Sequence, residues 1–325
     1  MTESASPDSV EAGGRLLGPN EVRELAARLE VSPTKKLGQN FVIDPNTVRK
    51  IVRLAGVEAG DRVIEVGPGL GSLTLGITEV GADVTAIEID RRLADELLTT
   101  ARAMQPGIFA DERAPRLRVI NTDALDLSRA VLLRALAGSG APATRDAAHH
   151  DGSPMPTVLV ANLPYNVSVP ILMHLLQLIP ELRSGLVMVQ SEVGYRIAAG
   201  PGSKEYGAPS AKAAWYGEWR IAGNVSRRIF WPVPGVDSVL VGYEKLAEPR
   251  GDETERMLVF ELVNAAFAQR RKMLRQALQT VLGPLDEAVA TIEAAGVAST
   301  ARAEQLGIDE FLAIARVHLG RSGVR

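Results

Sequence analysis

The sequence predicts an α/β fold: a doubly wound parallel sheet followed by a smaller, all-helical C-terminal domain. Three observations point there. Short apolar, β-branched runs alternate with helical patterns between residues 61 and 190, as in a parallel sheet covered on both faces. One of those runs, Val63–Val66, passes directly into a glycine-rich turn and then a helix. From about residue 248 the pattern is helical only.

Each element has a local reason. Residues 1–19 carry Gly, Pro, Ser and acids without periodicity and read as a disordered tail. Asn20 is placed to cap a short helix reaching Leu29. Asp44 and Pro45 supply an N-cap and a first-turn proline for a helix to about Ala55. Strands are predicted at Arg62–Val66, Val84–Glu88, Leu117–Ile120, Val158–Ala161 and Leu186–Gln190. Helices fall between them at Leu73–Val80, Arg91–Ala103, Ser128–Ala137 and Val169–Ile179. Residues 138–156, rich in Gly, Ala, Pro and Asp, read as a flexible insertion. Beyond Gln190, helical pieces are expected at 191–199 and 208–216, and strands at Trp219–Val225 and Val236–Tyr243. Four helices follow: Glu253–Ala268, Lys272–Leu282, Leu285–Ala295 and Ile308–His318. The expected division is a tail (1–19), a sheet domain (20–247) containing the 138–156 insertion, and a helical domain (248–325) joined through Glu248–Gly251.

Composition narrows the function. The 325 residues include no cysteine, which excludes disulfides, thiolate metal sites and a cysteine nucleophile. The four histidines show no metal-ligand spacing, so no metal site is expected. The polar, acidic start lacks the basic and apolar segments of a signal peptide, and no apolar run reaches the ~18–20 residues of a membrane span. A cytoplasmic protein with no membrane partner is the expectation. A formal net charge of −3 argues, as a total, against a nucleic-acid partner.

The turn Gly67-Pro68-Gly69-Leu70-Gly71 follows the strand ending at Val66. Its third glycine comes one residue earlier than in the dinucleotide fingerprint, and Pro68 removes an N–H that could face a diphosphate. Glu88 ends the next strand, where a carboxylate can accept hydrogen bonds from both ribose hydroxyls. The combination favours an adenosine nucleoside without a diphosphate, S-adenosyl-L-methionine above all, over a dinucleotide or an empty turn. Asp123, after the third strand, is placed either to accept the exocyclic amine of the cofactor's adenine or to cap a loop.

Asn162-Leu163-Pro164-Tyr165 follows the fourth strand on the same sheet edge. Methylation of an exocyclic base amine explains each member. The lone pair of adenine N6 is delocalised into the ring. Two acceptors directed at its hydrogens, the Asn162 side-chain oxygen and the carbonyl of Leu163 or Pro164, favour a tetrahedral nitrogen aimed at a methyl donor. Pro164 stiffens the turn, and Tyr165 offers a flat face to a base that is single-stranded or flipped out.

Nine segments, in order, resemble the rRNA adenine N6,N6-dimethyltransferases, in particular the housekeeping small-subunit (16S) rRNA branch, over roughly residues 31–320. They are KKLGQNFVID (35–44), EVGPGLGSLT (65–74), IEID (87–90), NTDAL (121–125), NLPYNVSVPI (162–171), QSEVGYR (190–196), KEYGAPS (204–210), FWPVPGVDSVLV (230–241) and FAQRRKMLRQAL (267–278). The resemblance implies a Rossmann-like, S-adenosylmethionine-dependent methyltransferase sheet. It implies dimethylation of two adjacent adenosines near the 3′ end of small-subunit rRNA; the expected partner is that rRNA in an immature ribosomal particle, and, with no oligomer signal in the fold, a monomer is expected. Cofactor contacts carry over to Asn40, Val42, Gly67, Gly69, Glu88, Asp123 and Asn162, and catalytic roles to Asn162, Leu163, Pro164 and Tyr165. Phe230 sits where the family places an aromatic beside the target base, though a core role reads equally well. Gly235 stands where the family usually has Lys.

The charge map then qualifies the total. Arg270, Arg271, Lys272 and Arg275 have no acid between Phe267 and Leu285, and on a helix starting at 270, Arg271 and Arg275 share a face. Lys35, Lys36, Arg227 and Arg228 add further basic positions, and all eight are expected to contact RNA. Two alternatives share much of this pattern: a resistance methyltransferase acting on one adenosine of large-subunit rRNA, and a non-catalytic assembly factor.

Overall fold

The computed structural model describes residues 14–30, 40–111, 115–137 and 153–322. In chain order the elements are α1 (Pro19–Arg28), β1 (Phe41–Val42), α2 (Pro45–Leu54), β2 (Arg62–Val66), α3 (Ser72–Glu79), β3 (Asp83–Glu88), α4 (Arg91–Met104), β4 (Leu117–Asn121) and α5 (Arg129–Ala137). Then come β5 (Val158–Asn162), α6 (Ser168–Leu178), β6 (Ser184–Gln190), α7 (Ser191–Ile197), α8 (Ala208–Tyr216), β7 (Gly217–Val225), β8 (Phe230–Trp231) and β9 (Ser238–Lys245). The chain finishes with α9 (Glu253–Ala268), α10 (Leu274–Ala277), α11 (Gln279–Leu282), α12 (Leu285–Ala294) and α13 (Ile308–Ser322).

Two compact units form: the chain up to Met188 with Val225–Asp237, and Val189–Asn224 with the chain from Ser238. The units therefore part elsewhere than at residue 247. The reason is packing: Tyr206, Ala211 and Trp215 share one buried core with Val259, Leu262, Val263 and Phe311. Residues Val189–Asn224 thus go with the C-terminal helices.

In the first unit the parallel strands run in the order β4–β3–β2–β5–β6. Val63 and Ile64 of β2 face Val158 and Leu159 of β5, while Val84–Glu88 of β3 face Leu117–Asn121 of β4. Successive crossovers from β2 move one way through β3 and β4; those from β5 move the other way. The order reverses between β2 and β5, and ligands of such sheets bind at the carboxyl ends of the strands at that point.

α2 begins where the local chemistry says it should. Asp44 adopts an extended backbone and its carboxylate accepts from the Thr47 N–H at 3.0 Å, with Pro45 in the first turn. The helix buries Val48, Ile51 and Val52. The two-residue strands β1 and β8, whose pairing sets Phe41 against Trp231 and Val42 against Phe230, carry no sequence signal of their own. They form because the Ile43 N–H and the Ile229 carbonyl, 2.8 Å apart, extend the same ladder.

Two expectations change. The tail read over 1–19 is not free throughout: Leu17 is buried, and the Arg15 N–H donates to the Met104 carbonyl at 3.1 Å. The helix expected to start at 270 is broken. Residues 269–273 form a turn, and Met273 is extended (φ −68°, ψ 152°). The following N–H groups turn outward instead, Leu274 to the Ala301 carbonyl at 2.8 Å and Arg275 to Ser299 at 3.1 Å. Residues 138–152 of the insertion, and Lys35 and Lys36, lie outside the described residues.

Asp44→Ala should cost about 1 kcal/mol of stability through loss of the cap. Urea unfolding monitored by circular dichroism checks this: Asp44→Asn should recover most of the midpoint shift.

Candidate active site

The loops after β2, β3, β4 and β5 enclose a cleft of about 270 Å³ at the carboxyl edge of the sheet. Its wall includes Asn40, Phe41 and Val42 from β1 and the residue before it. Each loop is fastened to its neighbour. The Gly67 N–H donates to the Ile87 carbonyl at 2.9 Å, and the Thr122 N–H to the Glu88 carbonyl at 3.1 Å. The Asn121 side-chain amide also reaches the Glu88 carbonyl, at 2.8 Å.

The glycine turn fits its task sterically. Gly69 has φ +58°, and a Cβ there would lie 2.9 Å from the Phe41 ring. Its bare N–H is used: it donates to Glu88 Oε2 at 3.1 Å, while the Asp90 N–H donates to Oε1 at 3.0 Å. Glu88 is thereby held in one orientation at the cleft wall, 3 % exposed. Burial pushes its carboxyl above the ordinary carboxylate range, and the backbone N–H groups of Asp90 and Gly69 act against that shift. The carboxylate of Asp123 accepts from the Leu125 N–H through one oxygen, at 2.9 Å. The loop-cap role and a place in the cleft wall are thus compatible in one residue.

The acceptor turn is set just as firmly. The Asn162 side-chain Nδ2 donates to the Asn40 carbonyl at 3.0 Å, which fixes the amide and leaves Oδ1 as its acceptor end. The Leu163 N–H donates to Met188. The Pro164 carbonyl already accepts from the Val167 N–H at 3.2 Å. Leu163 therefore supplies the more available carbonyl of the two left open by the sequence. Tyr165 is half-buried in the cleft wall.

Phe230 is not brought to the cleft. It is 1 % exposed and does not line it. Successive residues of a strand point to opposite faces: Phe230 turns inward opposite Val42, whereas Trp231 is half-buried and stacks on Phe41 with ring centroids 6.5 Å apart. Phe230 is packed into the core opposite Val42 in this arrangement.

The cleft also contains residues that the motifs did not single out. Ile89 and Leu125 stand in its wall 54 % and 39 % exposed, an apolar pair suited to a flat ring. Glu65 is 1 % exposed, accepts from the Thr74 hydroxyl at 2.6 Å, and is pushed by burial up to about 8, so it is largely neutral at pH 7. The signal for Ile89 was present, a large apolar residue directly after a strand-ending acid. Glu65 gave none, because a strand glutamate reads as exposed until both faces are covered.

The basic residues divide into tied and open. Arg227 forms a two-pronged contact with Asp237 and donates to the Gly235 carbonyl at 2.9 Å, while Arg228 is exposed beside it. Arg270 donates to the Tyr206 carbonyl at 3.1 Å and lies 3.8 Å from Glu304. Arg271 and Lys272 are exposed on the turn, and Arg275 is half-buried on α10. Gly235 has open space around it and no positive φ, so a side chain there is sterically permitted.

A cofactor with a ribose, an adenine and no diphosphate fits this wall. Paired backbone N–H groups orient Glu88 toward the hydroxyls, Gly69 leaves room, and Ile89 and Leu125 offer apolar faces. A doubly wound sheet with this cleft and an oriented Asn-Leu-Pro-Tyr turn defines an S-adenosylmethionine-dependent methyltransferase acting on a planar amine. Comparison with known proteins sharpens the class. The profile of the ribosomal RNA adenine dimethylases matches residues 32–318. The chain is 57 % identical over 301 residues to the ribosomal RNA small subunit methyltransferase A of Leifsonia xyli subsp. xyli, covering 93 % of this chain and 98 % of that one. It is 50 % identical over 318 residues to the protein of the same name from Thermobifida fusca, covering 97 % and 99 %. Among solved structures, a dimethyladenosine transferase from Plasmodium falciparum shares the fold with a TM-score of 0.67 at 21 % identity, covering 87 % of this chain and 98 % of that one. The 23S rRNA methyltransferase ErmE does so at 0.58 and 23 %, covering 86 % and 99 %. The chain belongs to the ribosomal RNA adenine dimethylase family.

Because the folded-state value of Glu65 lies above its unfolded one, the unfolded chain releases this proton first. The stability contributed is full below about pH 4.5 and is lost as pH rises through about 8. Glu65→Gln should flatten the fall of the ligand-free melting temperature between pH 6 and pH 8.5. An unchanged fall would show that Glu65 is not the group that titrates.

Proposed function

We propose that this enzyme dimethylates N6 of two adjacent adenosines near the 3′ end of small-subunit rRNA, acting as a cytoplasmic monomer on an immature ribosomal particle. The observation that carries the reading is the Asn162 amide. Its Nδ2 is engaged by the Asn40 carbonyl, so Oδ1 is the end presented to a substrate amine. Bound S-adenosylmethionine supplies an electrophilic methyl on a sulfonium. The protein's part is alignment. Asn162 Oδ1 and the Leu163 carbonyl accept the two N6 hydrogens, which draws the lone pair out of the ring system and directs it at the methyl. Tyr165 supports the base, and Pro164 holds the turn. Transfer would move the methyl from the sulfonium to N6, leave the neutral thioether, and release one N6 proton to solvent. A base in this cleft must be out of its stack.

The choice of small-subunit over large-subunit rRNA rests on identity of 48–57 % to curated relatives named for the small subunit, against 23 % to ErmE. The open basic residues, Arg228 in the first unit and Arg271 and Lys272 in the second, suit RNA phosphates.

Asn162→Ala should lower methyl transfer to unmethylated small-subunit particles by at least about a hundredfold, with particle binding retained in a filter assay. Transfer at near wild-type rate would remove Asn162 from the mechanism. Neutralising Arg271 and Lys272 should reduce the salt slope of particle binding by about two units, roughly one per phosphate contact. Arg270→Ala should instead lower stability, because Arg270 holds the Tyr206 carbonyl.

A further inference from the structure

A second cavity of the first unit, about 320 Å³ in volume, lies between α1 and α4 and shares no residue with the active-site cleft. Its walls are two helical stripes. Glu21, Glu24, Leu25 and Arg28 recur at the three- and four-residue spacing that sets side chains on one face of α1, and Glu96, Thr99 and Ala103 do the same on α4. The Arg28 guanidinium donates to Glu96 and closes one end of the groove. Leu17 and Met104 line the other end, where the Arg15 N–H holds the Met104 carbonyl. From Glu21 to Arg28 the groove runs about 10 Å, the reach of about three extended residues.

The groove combines apolar and acidic surface. Leu17 is buried, and Leu25 and Met104 are half-buried along it. Glu21, Glu24 and Glu96 line it against one cation, Arg28, which Glu96 already engages. Glu96 also accepts from the Thr100 hydroxyl at 3.1 Å. Glu21 accepts from the Gly18 N–H at 3.1 Å and lies 3.4 Å from Arg15. Glu24 is exposed and has no hydrogen bond or ion pair among the described residues. Such a surface repels phosphates, so RNA is the wrong occupant. The substrate particle also contains proteins, and a protein that neutralises phosphates is rich in Lys and Arg. The chain's own first fourteen residues include Glu3, Asp8 and Glu11 and no Lys or Arg, so they do not complement the groove.

We propose that the groove between α1 and α4 docks a short basic segment of a protein of the small-subunit particle. A Lys or Arg of that segment pairs with Glu24, and an adjacent apolar side chain fills the space beside Leu25 and Met104. The proposal rests on the reading of the substrate as a ribosomal particle. It makes recognition depend on both components of the particle, RNA at the open basic residues and protein at this acidic groove.

The test measures binding of the full chain to two probes, unmethylated small-subunit particles and the same rRNA stripped of protein. Two variants are compared with the wild type. Glu24→Lys reverses the unpartnered charge, and Thr99→Trp fills the groove from an exposed position without changing charge. Each should bind particles about fivefold more weakly, the size of a surface contact turned unfavourable. Each should bind the stripped rRNA no more weakly than the wild type does, and should melt at the wild-type temperature. A photo-crosslinker, Thr99→benzoylphenylalanine, should join the chain to a Lys- or Arg-bearing segment of a particle protein, identified by mass spectrometry. Unchanged particle affinity in either variant, or equal losses on both probes, overturns the proposal while leaving the particle reading in place. A crosslink to RNA, to a second copy or to the chain's own N-terminal segment overturns it as well. A wild type that does not bind particles overturns both readings.

Discussion

The parallel pairing of β2 with β5 is the constraint on which the site depends. Those strands are far apart in sequence, yet Val63 and Ile64 lie opposite Val158 and Leu159. Their shared direction delivers the glycine turn and the Asn162 turn to the same edge. Because the strand order reverses between them, helices leave to either side and the space above the strand ends stays open. The glycine turn and the Asn162 turn thus emerge side by side at one cleft.

Around that pairing the protein orients its polar groups before any ligand arrives. Backbone N–H groups from Gly69 and Asp90 hold Glu88, and the Asn40 carbonyl holds Asn162. Dipoles set in advance need no reorganisation during reaction, which is where catalysis of this kind gains most. The same logic separates the two buried acids. Burial pushes both above the ordinary carboxylate range; backbone N–H groups oppose the shift at Glu88, whereas Glu65, with one hydroxyl partner and full burial, is pushed up to about 8.

Much of this was legible in the sequence. The five parallel strands and their helices matched expectation to within a residue or two, because β-branched runs and capping residues such as Asp44 are local signals. The glycine turn, Glu88, Asp123 and the Asn162 turn were legible because their chemistry dictates residue type and spacing. What could not be read depends on distant partners. β1 and β8 exist only as each other's partners. The break at Met273 arises because Ala301 and Ser299 capture N–H groups that an unbroken helix would have used. Phe230 faces inward through its pairing with Val42. The basic positions looked equivalent in sequence, yet Arg227 and Arg270 are tied by internal acceptors while Arg228, Arg271 and Lys272 are open. The net charge of −3 was misleading for a related reason: a total says nothing of where charges lie, and fields decay within about 8–10 Å at physiological salt.

The central claim is that this cleft dimethylates adenosine in small-subunit rRNA. The most direct measurement incubates the protein with unmethylated small-subunit particles and isotopically labelled S-adenosylmethionine, then digests the RNA and resolves its nucleosides by mass spectrometry. The account predicts labelled N6,N6-dimethyladenosine in two adjacent positions of one 3′-terminal fragment. Unmodified adenosine there, with the particle demonstrably bound, would contradict it.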